Sequence, residues 1–279
     1  MEKVRSLPGS QEDPMKKRLK LTIRTARAIL QAFAFRLTAA LGRRGPSRSC
    51  QIPELPDILQ SCLGDFKRGV FVEVGAYDGE KFSNTSWLAD NGWRGIYVEP
   101  SPEFAGLCRR RHCLNNVEVV NSAAGESEGE AVLMQMGSLS TMSASTFDAY
   151  QHIPWAKNQM DSRLEQKTTR VQTLDSILEA NSCPKGFDIL VVDVEGFEES
   201  VFRSFDLKRW RPRLMIVELC DVHEELNVTA ELADSARRVR SRILAAGYQE
   251  VYRDHINTIF AVPECAGFQP VNTSRRSAA

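Results

Sequence analysis

Residues 70–79, VFVEVGAYDG, constrain what this chain can fold into more than any other ten positions. A β-branched, apolar run leads into a turn with glycines at 75 and 79 and acids at 73 and 78. A second apolar run, 95–98, ends on another acid, Glu99. Strand, glycine turn, helix, strand and acid form the layout of a nucleotide-binding βαβ unit. Glycine lets backbone approach a ligand closely, and an acid closing the second strand can accept both hydroxyls of a ribose.

The turn reads ExGxxxG instead of GxGxxG. Glu73 and Asp78 therefore stand near the place a pyrophosphate would occupy. Carboxylates there repel phosphate but suit a ligand carrying an amine and a sulfonium. The charge pattern points to S-adenosylmethionine before NAD.

From residue 70 onward, strands and helices alternate. Strands are predicted at 70–74, 95–98, 117–121, 131–135, 188–192, 214–218, 248–252 and 258–262. Helices are predicted at 83–91, 102–112, 174–181, 198–205 and 230–246. Uninterrupted runs such as ILVV and LMIV suit a parallel sheet covered on both faces. The expected fold is α/β, a doubly wound, mostly parallel sheet with ligands at the carboxyl ends of its strands.

The net charge of zero hides an asymmetry. Residues 1–50 hold 12 Lys+Arg against 3 Asp+Glu, leaving 24 against 33 for residues 51–279. A net of −9 on the main domain opposes a nucleic-acid backbone. The seven cysteines show no CxxC pairing, so free thiols are expected and no metal site is assigned. Sequons occur at Asn84, Asn227 and Asn272, and the charged first thirty residues do not form a secretory signal.

Within the arm, residues 14–41 read as a basic amphipathic helix. Leu19, Ile23, Ala26, Leu30, Phe33, Leu37 and Leu41 recur at helical spacing, and no acid lies between Asp13 and Glu54. Its apolar window is too short to span a bilayer. The helix packs its stripe on the following domain, lies on a membrane surface or anionic partner through residues 15–41, or serves as an organellar presequence. Residues 45–56 read as a linker. A cytoplasmic chain is expected, with the arm leaving membrane periphery and organelle open.

Two further constellations carry chemistry. In LVVDVEGFE, an apolar run delivers Asp193 and Glu195 to a strand's carboxyl end, where desolvating two acids is costly without a use for them. Glu218 ends the strand LMIVE, with Asp221 and His223 just beyond, and His223 is a candidate general base. Residues 136–170 are polar, serine-rich and without clear period, with Tyr150, His152 and Trp155 inside, and read as a mobile insertion or substrate lid.

The ordered set VEVGAYDGEKFSNT, IYVEPSP, NSAAG, TLDSIL and VVDVEGFE resembles the FkbM-type S-adenosylmethionine-dependent methyltransferases over about residues 70–218, more loosely to 262. The resemblance implies a class I, Rossmann-like methyltransferase domain at 70–264, after a basic arm at 1–50 and a lead-in at 51–69, with a tail at 265–279. It implies that Glu73, Gly75, Ala76 and Gly79 form the cofactor turn, with Asp78 beside them. Glu99 would bind the ribose, Pro100 and Ser101 would lie near the adenine, and Ser122 and Ala123 would flank it. Asp193 and Glu195 match the family's DxEG motif at the methyl-transfer face. Ser83, Asn84 and Thr85 match an SNT element without an assigned role, and Tyr77 stands where many members have Asn.

The expected activity is methylation of a hydroxyl on a small molecule, sugar or lipid. Asp193 would serve as base or orienter, Glu195 would position, and His223 is the second choice of base. A non-catalytic adaptor using the basic helix and an NAD-linked oxidoreductase are the rival classes.

Overall fold

The computed structural model describes residues 14–42, 45–46, 50–160, 164–219, 221 and 230–265. His223 and the sequons at Asn227 and Asn272 lie outside the described residues. The apolar, β-branched runs form β1 (Val70–Val74), β2 (Arg94–Val98), β3 (Val117–Val120), β7 (Ile189–Val192), β8 (Leu214–Glu218), β9 (Gln249–Arg253) and β10 (Asn257–Ala261). They pair into one sheet in the order β3-β2-β1-β7-β8-β10-β9, in which only β10 runs antiparallel to its neighbours. This is the doubly wound α/β architecture expected from the alternation.

The register decides where the functional side chains go. Val74 lies opposite Val98 and Val192, and Val192 lies opposite Val217. The next position along each strand is therefore one row: Gly75, Glu99, Asp193 and Glu218. The chain winds outward from β1 toward β3, then returns to start β7 on β1's other side. Ligands bind at such a reversal of strand order.

Helices fill the connections: α3 (Ser86–Asp90) and α4 (Pro102–Arg111) in the β1–β3 half, α7 (Leu174–Ala180) before β7, and α8 (Glu198–Arg203), α9 (Leu207–Trp210) and α10 (Ala230–Ala245) beyond it. In a doubly wound sheet, helices cover both faces. Both central strands accordingly bury their inner residues completely, from Phe71 and Val72 to Ile189 and Leu190.

Three segments depart from the sequence expectation. First, the prolines of the supposed linker open a helix, α2 (Leu55–Leu63), with Pro56 in its first turn, where a missing N–H costs nothing. Ile52, Leu55, Ile58 and Leu59 all enter the core. Such side chains stabilise the fold by roughly 1.5–3 kcal/mol each.

Second, residues 136–170 are not an irregular loop. They form a 3-10 turn (Gly137–Leu139), α5 (Ala144–Tyr150), α6 (Pro154–Gln159) and the start of β6 (Glu165–Gln172). Strand β6 pairs with β5 (Gly129–Gln135) and with β4 (Ala123–Ala124) in a small second sheet. Met136, Leu139, Tyr150, Ile153 and Ala156 give this segment its own apolar cluster. The sequence of β6, EQKTTRVQ, hides the strand because only Thr169 and Val171 turn inward.

Third, α1 (Pro14–Ala40) docks on α3 and α4 by a face other than its apolar stripe. Ala32 is buried there, and Arg36 Nη1 donates to the Asp90 carbonyl at 2.9 Å.

Candidate active site

A cavity of about 440 Å³ opens over the carboxyl ends of β1, β2, β7 and β8. Of the residues singled out in the sequence, Glu73, Gly75, Ala76, Glu99, Pro100, Ser122, Ala123, Asp193, Glu195 and Glu218 line it. Asp78, Gly79 and Ser101 do not.

The β1 turn is held by Gly75 N and Ala76 N, which donate to the Val98 carbonyl at 2.9 and 3.2 Å. Gly75 has φ +93°, and a Cβ there would lie 1.7 Å from the Asp193 carbonyl oxygen. Glycine at 75 is thus required by the approach of two backbones, β1 to β7, in addition to any ligand. Gly79 serves packing instead: a Cβ would meet Cys108 Sγ at 2.7 Å, and its carbonyl bonds His112 Nε2 at 2.7 Å. Asp78 turns from the cavity because its Oδ1 accepts from Glu80 N and Lys81 N, closing the loop locally. Tyr77 has φ +47°, a left-handed conformation that Asn tolerates best among side-chain-bearing residues. The Tyr77 ring packs edge-on to Phe104 at 4.5 Å between centroids.

Glu99 is buried and accepts from Ser101 N at 2.7 Å and Tyr77 N at 2.9 Å. Burial nevertheless pushes its carboxyl up to about 8. Ser101 supports the site from behind: its Oγ caps α4 at Phe104 N and donates to Gln135 Oε1 at 3.1 Å. Ser122 Oγ is buried and without a partner among the described residues, at the cavity wall. A buried hydroxyl of this kind fits a ligand's polar edge.

Glu73 gives the SNT element its role. Ser83 Oγ donates to Glu73 Oε2 at 3.0 Å, and Thr85 Oγ1 donates to the same oxygen. Burial raises Glu73 to about 7 against those two bonds. The middle residue reaches the other way: Asn84 Nδ2 donates to Gln51 Oε1 at 3.1 Å, and Gln51 Nε2 donates to Asp193 Oδ2 at 3.3 Å. Asn84 is fully buried, which removes its sequon from consideration. Nothing in the sequence marks Gln51, 142 positions before Asp193. The burial cost of Glu73, by contrast, demands hydroxyl donors nearby, and the SNT element supplies them.

At the other end, Asp193, Glu195 and Glu218 bring carboxylate oxygens within 4.8 Å of one another. All three are pushed above the ordinary carboxyl range, first by burial. Glu195 and Glu218 are raised further by the Asp193 charge, and Glu218 shares a hydrogen bond with Asp193. Such a set can share protons or, as hard oxygen donors, hold a divalent cation. Glu195 sits at φ +53°, strained for a side-chain-bearing residue, and Gly196 follows at φ +89°. Residues 141 and 150 hold this turn in place. Tyr150 Oη donates to Glu195 Oε2, and Thr141 Oγ1 donates to the Glu195 carbonyl at 2.7 Å. Asp221, expected on the rim, is instead tied to Arg240 at 2.9 Å.

The family model described as the methyltransferase FkbM domain matches residues 73–250. No curated protein matches the chain. Among solved structures the chain is similar to an O-methyltransferase from Bacillus cereus in complex with SAH, at 18% identity and TM-score 0.43, covering 83% of this chain and 90% of that one. It is also similar to the O-methyltransferase TomG from Streptomyces achromogenes, involved in tomaymycin synthesis and in complex with SAM. That match has 13% identity and TM-score 0.43, and covers 90% and 91% of the two chains.

Proposed function

This chain belongs to the methyltransferase FkbM domain family, and on that premise we propose that it methylates a hydroxyl of a small-molecule, sugar or lipid acceptor using S-adenosylmethionine. The observation that carries the reading is the row of acids on one sheet edge. Glu99 stands at one end, Asp193 and Glu218 at the other, with Gly75 between them where the strand order reverses.

The residues fit the cofactor. Glu99 has lone pairs left after its two backbone bonds and offers them to ribose hydroxyls. Glu73 lines the cavity beside the turn with a carboxyl suited to an ammonium. The unpartnered Ser122 Oγ and the Ala123 side chain wall the region assigned to the adenine. Acids at 73 and 193 leave no welcoming place for the pyrophosphate of NAD.

When bound, S-adenosylmethionine supplies a methyl group already activated on a sulfonium, so the protein's tasks are alignment and proton removal. Asp193 accepts the hydroxyl proton at a carboxylate oxygen while Gln51 Nε2 holds Oδ2 in place. Glu195, clamped by Tyr150, borders the acceptor space under the lid. Leu139, Met142 and Trp155 close that space with apolar surface and exclude water.

The test is calorimetric titration of S-adenosylhomocysteine into the full chain beside Glu99→Ala. Micromolar binding that weakens by roughly 10²–10⁴ in the variant is expected, since two hydrogen bonds to a charged group are lost at roughly 1.5–3 kcal/mol each. A folded wild type that binds nothing overturns the reading. Binding without turnover on any hydroxylated acceptor class would favour the adaptor.

A further inference from the structure

Helix α1 is docked on one side and bare on the other. Its C-terminal half is fixed by Ala32, which is 1% exposed, by the Arg36 bond to Asp90, and by the Arg111 guanidinium stacked 4.5 Å from the Phe35 ring centroid. At 3.6 residues per turn, the stripe Leu19–Ile23–Leu30–Phe33–Leu37 lies on the opposite face. Its members are 60, 44, 69, 59 and 63% exposed. Burying such side chains in the domain would have been favourable, yet the docked face carries mostly alanine and threonine. Leu41 continues the row at 58% exposure, giving a line of about 33 Å at 1.5 Å per residue.

The charge around this line says what can cover it. The helix contains seven Lys+Arg and no Asp or Glu, and Arg27, beside the stripe, is exposed. The rest of the chain, residues 51–279, carries the opposite sign, 24 Lys+Arg against 33 Asp+Glu. Among the described residues no helix is long and apolar enough to cross a membrane. A cationic helix with one exposed apolar line suits the plane of a membrane interface, with apolar side chains inserted and Lys and Arg reaching the headgroups.

We propose that α1 lays its Leu19–Leu41 stripe into an anionic lipid surface and holds the acidic catalytic domain beside it. The proposal stands independently of the methyl-transfer reading. A second copy of this chain is the rival occupant, because its acidic domain also complements the helix. A straight line of single side chains, however, matches a flat surface better than a curved one.

Sedimentation of the full chain with vesicles tests the proposal. Phosphatidylcholine vesicles carrying about one-third phosphatidylserine should bind at least about tenfold tighter than phosphatidylcholine alone, with affinity falling as salt rises. The double variant Leu30→Glu/Phe33→Glu should lose at least about tenfold of that binding while its melting temperature stays unchanged, since both side chains already face water. Arg27→Glu should weaken binding by a smaller factor. Equal binding to both vesicles, no binding, or wild-type binding by the double variant overturns the proposal. A dimer in light scattering that the double variant abolishes overturns it too, and assigns the stripe to a second copy.

Discussion

The two ends of the cavity are both acidic, but they are built differently. Glu73 and Glu99 are each satisfied by hydroxyls or backbone N–H groups from within the same βαβ unit, at most 22 positions away: Ser83, Thr85, Ser101 and Tyr77. Asp193, Glu195 and Glu218 face one another, and their outside donors come from Gln51, 142 positions away, and Tyr150, 45 away. The first end, the cofactor side on the proposed function, is organised within a single βαβ unit. The second is a crowded set of acids whose positions exist only when the lead-in, the segment around α5 and two strands have assembled. On the proposed function, the cofactor half thus rests on nearer contacts and the acceptor half on more distant ones.

The sharpest way to break the contrast is at the point where the halves touch. Gly75→Ala puts a Cβ into the Asp193 carbonyl and adds positive-φ strain, so a loss above about 4 kcal/mol is expected. Urea unfolding measures it, and a fully stable variant would show that β1 and β7 do not approach so closely. Next, Asp193→Asn should lower kcat by roughly 10²–10⁴ with the acceptor while leaving S-adenosylhomocysteine affinity within a few-fold. An equal loss in both would merge the two halves into one.

A smaller effect concerns pH. Glu99 is held near 8 in the free protein, and ribose hydroxyls bond best to its ionised form. Cofactor-product binding then releases a proton, so affinity should rise with pH up to about 8, by up to about tenfold per unit, and level off above. Glu99→Gln should remove the rise between about pH 7 and 8 while keeping the rise below about 7 that Glu73, beside the ligand's ammonium, contributes. The smallest effect is expected at Gln51→Ala: one neutral donor is lost, so kcat should fall only about three- to tenfold. Unchanged kcat would detach the lead-in from the acceptor side.

Legibility in the sequence followed the same division. Strands β1, β2, β7 and β8 were readable because central parallel strands must be apolar throughout, and the acids that end them stand out against that background. Strand β6 and helices α5 and α6 were not, because a strand with two inward residues and six- or seven-residue helices leave no usable period. Helix α2 was masked by its own proline, Pro56, and by Pro53 just before it. Asp78 and Gly79 look like ligand residues by spacing, yet hydrogen bonding and helix packing claim them.

Local pattern and burial are enough to specify the sheet, the glycine turn and the acids that end its strands. Packing between distant segments is what brings Gln51 and Tyr150 to the acids, ties Asp221 to Arg240 and turns α1's apolar stripe outward. Those outcomes depend on which surfaces meet, and a chain's periodicity shows that a helix has an apolar face without showing where that face will point.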